Sequence, residues 1–379
     1  MYIWFHFHTF HFYKVFTDLS IIDFSLVLLY LYIMTTKQKV FEILSESVGS
    51  YVSGEKLAQE CGVSRAAIWK AVKAIRDDGF LIEGTNNNGY TLSENQTGDI
   101  LSQAVLEYTL AQAFPDYTQS HIECFDTLDS TNTYAKKLLT QEASKYHQAI
   151  IVAEAQTAGR GRIGRTFESP AGTGIYVSLI ITPKGGITQP AVITAWSAVA
   201  VSRAIKKLYG VQPAIKWIND IYVQNDGVLK KAAGILTEGI TNFETGRIES
   251  AVIGIGVNIK PSDKIKKSAA KNIAGFLTQA PRIADAPETK GLPTRARFIS
   301  EIAGQVFKIF EEPAEKVIQE YKDLMFLIGK TLTVYPLIGD EKSAYTAKAI
   351  DVDQDAGLVV ELKDGTKKTL SSGEVTLHG

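Results

Sequence analysis

One segment limits the possible fold more than any other. Residues 158–165 read AGRGRIGR, and an apolar run, Ala149–Ala153, precedes them. The glycines match the G-x-G-x-x-G fingerprint of dinucleotide-binding folds, which requires a helix directly after them so that its N-terminus meets a pyrophosphate. Here Pro170 follows instead, and Ile175–Ile181 has the pattern of a strand. The sequence therefore excludes a dinucleotide-binding turn, and the absence of a closing Gly-Lys-Ser/Thr excludes a P-loop.

The same segment carries three arginines, Arg160, Arg162 and Arg165. Glycine lets the backbone approach a ligand closely, and each guanidinium can hold a carboxylate or a phosphate through two parallel hydrogen bonds. One charge-assisted hydrogen bond contributes roughly 1.5–3 kcal/mol, so two or three of them can order a flexible loop over an anionic ligand. The alternative is a basic loop that is only solvated at the surface.

A second polar segment, DSTN at Asp129–Asn132, lies between an expected strand at Ile122–Phe125 and an expected helix through Tyr134–Leu139. Its hydroxyl groups and the N-terminus of the helix can hold the polar end of a ligand. The alternative is structural, because Ser130 or Thr131 can simply cap the helix.

Lys216 opens a third segment, KWIND at Lys216–Asp220, among apolar neighbours. An ammonium group in such surroundings is costly to desolvate unless an anion meets it. A ligand carboxylate or an α-phosphate satisfies that need. The alternative is a lysine that only protects an edge strand from pairing with other chains.

These three segments, in this order, resemble the motifs of biotin protein ligases. AGIL at 233–236 and GIGVN at 254–258 extend the resemblance over residues 37–379. The family usually has KWPND, so Ile218 stands where a proline with its fixed φ is usual. The resemblance implies that biotin and ATP, with Mg²⁺, give biotinyl-5′-AMP. It also implies that biotin then passes to a lysine of the biotin carboxyl carrier domain of acetyl-CoA carboxylase or a related carboxylase.

Taken residue by residue, the resemblance assigns catalytic roles to Lys216, Arg160 and Arg162. It assigns no metal ligands. Contacts to biotin or the adenylate fall to eight residues: Ser130, Thr131, Asn132, Gln156, Arg160, Gly161, Arg162 and Lys216.

Residues 37–92 have the pattern of a winged helix-turn-helix. Ser53 can cap a helix over residues 54–60, Gly62 can make the turn, and Ser64 can cap a third helix at about residues 65–78. The core stripe of that third helix is apolar at i, i+3, i+4 and i+7, formed by Ile68, Ala71, Val72 and Ile75. A turn at Asn86–Gly89 between two short strands completes the wing.

The third helix has the charge expected of a DNA-recognition helix. Residues 37–92 hold seven basic and seven acidic groups, yet residues 64–76 hold four basic groups and no acid. Guanidinium and ammonium groups on such a helix reach phosphates and base edges in the major groove. The alternative is a solvated basic face, or one that binds a protein. The predicted DNA contacts are Ser64, Arg65, Ala66, Trp69, Lys70 and Lys73.

The expected fold class is α+β. The winged helix-turn-helix at 37–92 is followed by a connector at 93–116. A central mixed α/β domain at 117–326 resembles the class II synthetase-like biotin/lipoate ligases. Short strands from residue 327 to 379 resemble the SH3-like C-terminal β-barrel of the family. Residues 1–34 hold 11 of the 37 aromatic residues and a single basic residue, and we expect them to be a non-native or disordered extension.

Composition and charge limit the classes of partner that the chain can bind. The formal net charge of −1 imposes no global attraction to nucleic acid or membrane. The longest uncharged run at the start, Phe24–Met34, is too short for a membrane span of about 20 residues. Two cysteines suit a reducing cytoplasm. Family behaviour further implies operator DNA and a ligand-promoted homodimer.

Three alternatives remain at this stage. The chain can be a lipoate ligase, which belongs to the same class of enzyme. It can be a biotin-sensing repressor without ligase activity. It can also be a ligase whose N-terminal domain no longer binds DNA.

Overall fold

The computed structural model describes residues 35–85, 88–183, 185–187, 189–241, 244–268, 274–284, 286, 292–336 and 341–377. The expected extension over residues 1–34 lies outside this set, as do Asn86 and Asn87 of the predicted wing turn. Internal contacts divide the chain into two units, one of residues up to Gln119 with Thr294–Arg297, and one of Ser120–Pro293 with Phe298–Gly379. Within the described residues, every helix is too short or too polar to span a bilayer.

The N-terminal unit contains the predicted helix-turn-helix. Ser53 accepts a hydrogen bond from the Lys56 amide at 3.1 Å and Ser64 one from the Ala67 amide at 3.2 Å, which confirms both predicted caps. Gly62 ends the second helix with a φ of 67°, a left-handed conformation that glycine adopts without strain. The elements are α1 (Thr36–Glu46), α2 (Gly54–Cys61), α3 (Arg65–Asp77), β1 (Phe80–Thr85), β2 (Gly89–Thr97) and α4 (Gln103–Ala113).

The buried side of α3 is the predicted stripe. All four of its predicted core residues are at most 5% exposed, namely Ile68, Ala71, Val72 and Ile75. Strands β1 and β2 pair in antiparallel fashion and form the wing. The winged helix-turn-helix is therefore confirmed as the fold of this unit.

The segment predicted as a connector, 93–116, is different in the structure. Strand β2 continues through it to Thr97, and α4 packs into the core of the N-terminal unit. The ring of Tyr108 on α4 meets Phe41 at 5.5 Å and Phe80 at 5.4 Å between centroids, both edge-to-face. This aromatic cluster explains the difference, because burying Tyr108 makes α4 part of the unit rather than a linker.

The larger unit is built on a seven-stranded mixed sheet with the strand order β3-β4-β5-β9-β8-β7-β6. Only β3 and β4 run parallel, and the other neighbours are antiparallel. The strands are β3 (Ile122–Leu128), β4 (Ile150–Gln156), β5 (Gly174–Ile181), β6 (Ala214–Lys216), β7 (Asp220–Asn225), β8 (Val228–Thr241) and β9 (Ile248–Asn258). The helices are α5 (Thr131–Glu142), α6 (Pro190–Tyr209), α7 (Asp263–Ser268), α8 (Arg295–Ile309) and α9 (Ala314–Leu324).

Helices cover both faces of this sheet. Helix α5 packs on the face that carries Ile180 and Val252. Helix α6 packs on the opposite face, where Thr194 donates a hydrogen bond to Thr237 at 2.9 Å. Because side chains alternate along a strand, the face under α5 also carries Ser178, the next residue but one along β5 from Ile180. The space beside α5 on this face is where the candidate site lies.

The C-terminal strands form a separate five-stranded antiparallel sheet with the order β13-β12-β11-β10-β14. They are β10 (Thr331–Tyr335), β11 (Tyr345–Val352), β12 (Leu358–Glu361), β13 (Lys367–Leu370) and β14 (Glu374–Leu377). Among the described residues the ladder starts at β13 and ends at β14 without joining them. The prediction that this segment consists of short β-strands is confirmed, but the sheet is open where a closed barrel was expected.

Candidate functional site

The parallel pair β3–β4 brings two of the sequence motifs together. Leu128 at the end of β3 lies opposite Gln156 at the end of β4. The chain leaves both strands side by side, and the Ala158 amide donates to the Asp129 carbonyl at 2.9 Å. The DSTN segment therefore lies against the start of the arginine loop, at the carboxyl ends of two parallel strands, a position that often binds ligands.

The arginine loop, residues 157–173, folds back on itself. The Gly161 amide donates to the Arg165 carbonyl at 2.7 Å and the Phe167 amide to the Gly159 carbonyl at 2.9 Å. Between these bonds Arg162–Gly164 makes a single 3-10 turn, and the next α-helix begins only at Pro190. Among the described residues, the helix that a dinucleotide-binding turn needs after the glycines is therefore not formed.

A cleft that is partly open to solvent lies between this loop and the sheet. Glycines in the sheet keep its floor open: a Cβ on Gly254 would lie 2.1 Å from Asn132 Oδ1, and one on Gly256 would lie 2.5 Å from the Phe167 ring. The structure places all eight predicted ligand contacts on the lining, namely Ser130, Thr131, Asn132, Gln156, Arg160, Gly161, Arg162 and Lys216.

One end of the cleft is a buried network of uncharged polar groups. Ser178 Oγ, fully buried on β5, lies 2.6 Å from Asn132 Oδ1 and 2.8 Å from Thr131 Oγ1. Gln156 Oε1 accepts from the Thr131 amide at 2.8 Å, and Gln156 Nε2 donates to Ser169 at 2.8 Å. Such a network fixes the direction of each donor and acceptor, which is what a site needs to recognise the polar pattern of a neutral ring.

The position of Ser130 allows both of the roles considered for it. Its hydroxyl lies 3.5 Å from the Thr133 amide in the first turn of α5, and its carbonyl accepts from the Tyr134 amide at 3.1 Å. The same residue lines the cleft. The capping alternative and the ligand-contact reading are therefore compatible.

The other end of the cleft is cationic. Lys216 ends β6, the edge strand, but the edge is covered because Ile215 pairs with Met325 and accepts from the Phe326 amide at 3.3 Å. Burial lowers the pKa of Lys216 below its ordinary value, and the nearby carboxylates of Asp220 and Glu374 offset this only in part. A covered edge and a desolvated ammonium favour an anion-binding lysine over a solvated gatekeeper.

The turn after Lys216 is fixed by two partners. Trp217 Nε1 donates to the Ala356 carbonyl in the C-terminal sheet at 2.9 Å, and the buried Tyr321 hydroxyl donates to the Ile218 carbonyl at 3.1 Å. The peptide bond between Trp217 and Ile218 is cis. The turn geometry that the missing proline left open is thus defined by contacts from α9 and from the β11–β12 connection.

Each loop arginine has a partner that sequence reasoning did not identify. Arg162 donates to Asn219 Oδ1 at 3.1 Å and to the Gly373 carbonyl at 3.4 Å. Because Gly373 directly precedes β14, this second bond connects the C-terminal sheet to the site. Arg165 pairs with Glu374 at 2.6 Å, and Arg160 lies 3.5 Å from Glu238. Asn219 belongs to the KWIND motif, so the sequence could have identified it as a site residue. Glu238 and Glu374 gave no signal, because neither belongs to a motif.

The predicted DNA contacts lie in the N-terminal unit. Trp69 is 57% exposed, so its indole is accessible to a partner. Lys73 pairs with Asp77 at 2.8 Å, whereas Arg76 turns away to donate to the Ile82 carbonyl of the wing at 2.8 Å. The remaining predicted contacts are exposed residues at the N-terminal end of α3: Ser64, Arg65, Ala66 and Lys70.

Comparisons with known sequences cover most of the described structure. Residues 124–258 match the model of the biotin/lipoate A/B protein ligase family, and residues 36–91 match that of an HTH domain. The bifunctional ligase/repressor BirA of Bacillus subtilis is 29% identical over 338 residues, spanning 89% of this chain and 98% of that protein. The bifunctional ligase/repressor BirA of Escherichia coli is 27% identical over 345 residues, spanning 91% and 98%.

A solved structure has the same fold in its matched part. The biotin protein ligase from Aquifex aeolicus, in complex with biotin and ATP, superposes with a TM-score of 0.51 at 23% identity. It covers 68% of this chain and 98% of its own. The mixed α/β architecture predicted for the central domain agrees with this likeness.

Proposed function

We propose that the chain is a member of the biotin/lipoate A/B protein ligase family with an N-terminal HTH domain, and that it is a biotin protein ligase that also represses transcription. It activates biotin with ATP and transfers it to a lysine of a carrier protein. The observation that carries the proposal is the meeting of three distant motifs, DSTN, AGRGRIGR and KWIND, on one cleft.

The two ends of the cleft suit the two parts of biotinyl-5′-AMP. The neutral network around Asn132, Thr131 and Gln156 presents fixed donors and acceptors to the ureido ring of biotin. The cationic end presents Lys216 and the loop arginines to the carboxylate and the α-phosphate. The site thereby holds two anions that repel each other in water, which is the main requirement of this reaction.

In the first step a carboxylate oxygen of biotin attacks the α-phosphorus of ATP. The bond from that phosphorus to the bridging oxygen breaks, and pyrophosphate leaves with the electron pair. Lys216 and Arg162 stabilise the negative charge that grows on the phosphoryl oxygens. Arg160, which faces Glu238 across the cleft wall, is the third cation available to the phosphates.

Magnesium enters this proposal as part of the substrate. In the described residues, His, Cys, Asp and Glu side chains form no group of three or more that can hold a metal ion. Mg²⁺ commonly binds through substrate phosphates and retains several waters, so MgATP brings its own ligands.

In the second step the amine of a carrier lysine attacks the carbonyl carbon of the mixed anhydride. An amide forms, and AMP leaves with the electron pair of the broken carbon–oxygen bond. The acceptor we propose is the biotin carboxyl carrier domain of acetyl-CoA carboxylase or a related carboxylase. Closing the arginine loop over the anhydride keeps water from competing with the lysine.

One experiment separates this function from its rivals. Incubation with biotin and MgATP should give pyrophosphate and biotinyl-5′-AMP, and addition of a carrier domain should give a biotinylated protein. Pyrophosphate with lipoate but not with biotin would identify a lipoate ligase. Biotin binding without pyrophosphate would identify a sensing repressor.

The regulatory half of the proposal concerns α3. It presents Arg65, Trp69 and Lys70 to the major groove of operator DNA, and the wing contacts the backbone. A homodimer favoured by the bound adenylate would place two such helices on a two-fold operator. DNA affinity should therefore rise when biotin and ATP are present, and affinity that ignores both ligands would contradict the coupling. The C-terminal sheet in this proposal corresponds to the SH3-like domain of the family.

A further inference from the structure

Glu238, on β8, contacts three side chains at once, and two of them, Asn132 and Arg160, line the cleft. Its Oε2 accepts from Asn132 Nδ2 at 2.9 Å, and its Oε1 accepts from Lys136 Nζ at 2.7 Å and lies 3.5 Å from Arg160 Nη1. Burial tends to raise the pKa of Glu238, but the hydrogen bonds from Lys136 and Asn132 outweigh it and keep the pKa below its ordinary value. The side chain is therefore a carboxylate, a group that can only accept hydrogen bonds.

This carboxylate determines which way round the Asn132 amide lies. The atom facing Glu238 also faces the Leu236 carbonyl at 3.2 Å, and both partners are acceptors only, so that atom must be the amide nitrogen. The amide oxygen, on the other side, accepts from Ser178 Oγ at 2.6 Å.

Hydrogen-bond capacity then decides what Asn132 can offer to a ligand. Both N–H groups of its amide are used within the protein, whereas the oxygen has two lone pairs and accepts from a single partner, Ser178, among the residues that the structure describes. Asn132 is 3% exposed and lines the cleft. Toward a ligand it is thus an acceptor and never a donor.

We infer that Glu238 is a positioning residue for ligand selection: by fixing the Asn132 amide it makes this part of the cleft specific for a ligand that presents an N–H group. The inference rests on the proposed function and deepens it. The ureido ring of biotin carries N–H groups, whereas the dithiolane ring of lipoate carries none. A ligand without an N–H would leave a desolvated acceptor unpaired, which is an effective way for a site to reject an analogue.

A purely structural role for Glu238 makes a different prediction, and Glu238→Gln distinguishes the two. In this isosteric variant Lys136 and Arg160 are donors that still require an oxygen at the Oε1 position. The new amide nitrogen is then directed at Asn132 Nδ2, so the hydrogen bond between Asn132 and residue 238 is lost, while the Leu236 carbonyl remains a partner of that nitrogen. The Asn132 amide is then held less firmly in its orientation, while the fold keeps its shape.

The test is calorimetric titration with biotin and with lipoate in the absence of ATP. Glu238→Gln should raise the dissociation constant for biotin by about tenfold or more, the loss expected for one hydrogen bond to a buried group. Its affinity for lipoate should not fall. The matched control is Lys136→Met, which removes the ion pair at Oε1 but keeps the Asn132–Glu238 bond. It should change biotin affinity by no more than about twofold, because partly exposed ion pairs contribute little.

A double variant adds a rescue that a structural defect cannot mimic. In Lys136→Met/Glu238→Gln the nearer of the two cations, at 2.7 Å, is gone and Arg160 remains at 3.5 Å, so the glutamine oxygen is held less firmly and can turn back to Asn132. Biotin affinity should then recover in part relative to Glu238→Gln alone. No recovery, or a Glu238→Gln variant that binds biotin like the parent chain, would overturn the inference.

A measurement on the unaltered chain keeps the inference testable whatever Glu238→Gln does to folding. A biotin analogue with a ureido N–H replaced by a ring oxygen should bind much more weakly than biotin. Equal affinity for biotin and for this analogue would contradict the inference that Asn132 accepts a hydrogen bond from the ligand. A chain that does not bind biotin at all would overturn the proposed function itself, an outcome distinct from failure of the selection step alone.

Discussion

Arg165 and Glu374 form a 2.6 Å ion pair that joins the arginine loop to β14, across 209 residues of sequence. The hydrogen bond to Glu374 raises the pKa of Arg165 above its ordinary value. Burial tends to raise the pKa of Glu374, but the bond and charge of Arg165 outweigh it and keep that pKa low. The C-terminal sheet is thus a part of the wall of the cleft.

Glu374→Gln should loosen this link. Because Arg165 is largely exposed, we expect a loss of at most about 1 kcal/mol in the free energy of unfolding. The larger effect should be on the loop, seen as faster dissociation of biotinyl-5′-AMP in a filter or stopped-flow assay. Glu361→Gln, on β12 of the same sheet, is the control for loss of one charge, and equal effects of the two variants would argue against the link.

Arg162→Ala should let the adenylate escape. Its guanidinium lies in the cleft between Asn219 and the Gly373 carbonyl, so its removal leaves the anhydride one charge-assisted contact short. A contact of roughly 1.5–3 kcal/mol corresponds to an increase in off-rate on the order of 10–100-fold. Free biotinyl-5′-AMP accumulating in solution reports the leak. Arg247→Ala, whose guanidinium donates to the Gly185 carbonyl instead, serves as the control.

Replacing Lys216 should disable the first step. Lys216→Met removes the desolvated cation that we propose stabilises the phosphoryl group, and loss of one such group typically lowers kcat by about 100-fold or more. Pyrophosphate release measures the step, and the melting temperature checks the fold. A variant that is folded and retains parental activity would remove Lys216 from the mechanism.

The protonation of Lys216 should also determine the pH above which activity falls. Burial lowers its pKa, so its charged form is lost at a lower pH than for an ordinary lysine of about 10.4. kcat/KM for ATP should fall as pH rises through this lowered pKa, and Lys216→Arg should flatten that limb because guanidinium stays charged. Stability without ligand should change in the opposite direction. Between the lowered pKa of the folded chain and the ordinary pKa of the unfolded chain, the unfolded chain binds one more proton, so the free energy of unfolding should rise as the pH rises.

Arg65→Ala and Lys70→Ala should weaken binding to promoter DNA of the biotin genes. If each contacts one phosphate, each variant should lower the magnitude of the slope of log affinity against log salt concentration by about 1. Fluorescence anisotropy at several NaCl concentrations measures this slope. Lys56→Ala on α2 pairs with Glu60 and provides the control. An unchanged slope in both variants would direct attention to a protein partner for α3.

Local signals in the sequence predicted many of the helices and strands, and they predicted the cleft residues that belong to the three motifs. The stripe from Ile68 to Ile75 fixed the orientation of α3, and the proline and glycines after Arg165 excluded a helix where a dinucleotide would need one. The loop, the DSTN segment and Lys216 were predicted as ligand contacts from their motifs, and all of them lie on one cleft.

The rest depended on contacts between residues far apart in sequence. Nothing near Glu238 or Glu374 indicates that these carboxylates meet loop arginines, because the pairing is a property of the sheet topology. Tyr108 likewise gave no sign that α4 would join the aromatic cluster of the N-terminal unit. The open C-terminal sheet differs from the expected barrel because strand periodicity predicts strands but does not determine whether the first and last of them pair.

The hydrogen bond from Trp217 to the Ala356 carbonyl has a consequence for protein engineering. Together with the Arg162–Gly373 contact, it makes the last sheet inseparable from the turn that carries Lys216. A chimaera that exchanges this sheet for that of a homologue would have to exchange the matching loop residues with it. Trimming the gene to residues 124–258, the segment that matches the ligase family model, would yield a protein with the motifs intact and the turn after Lys216 unsupported.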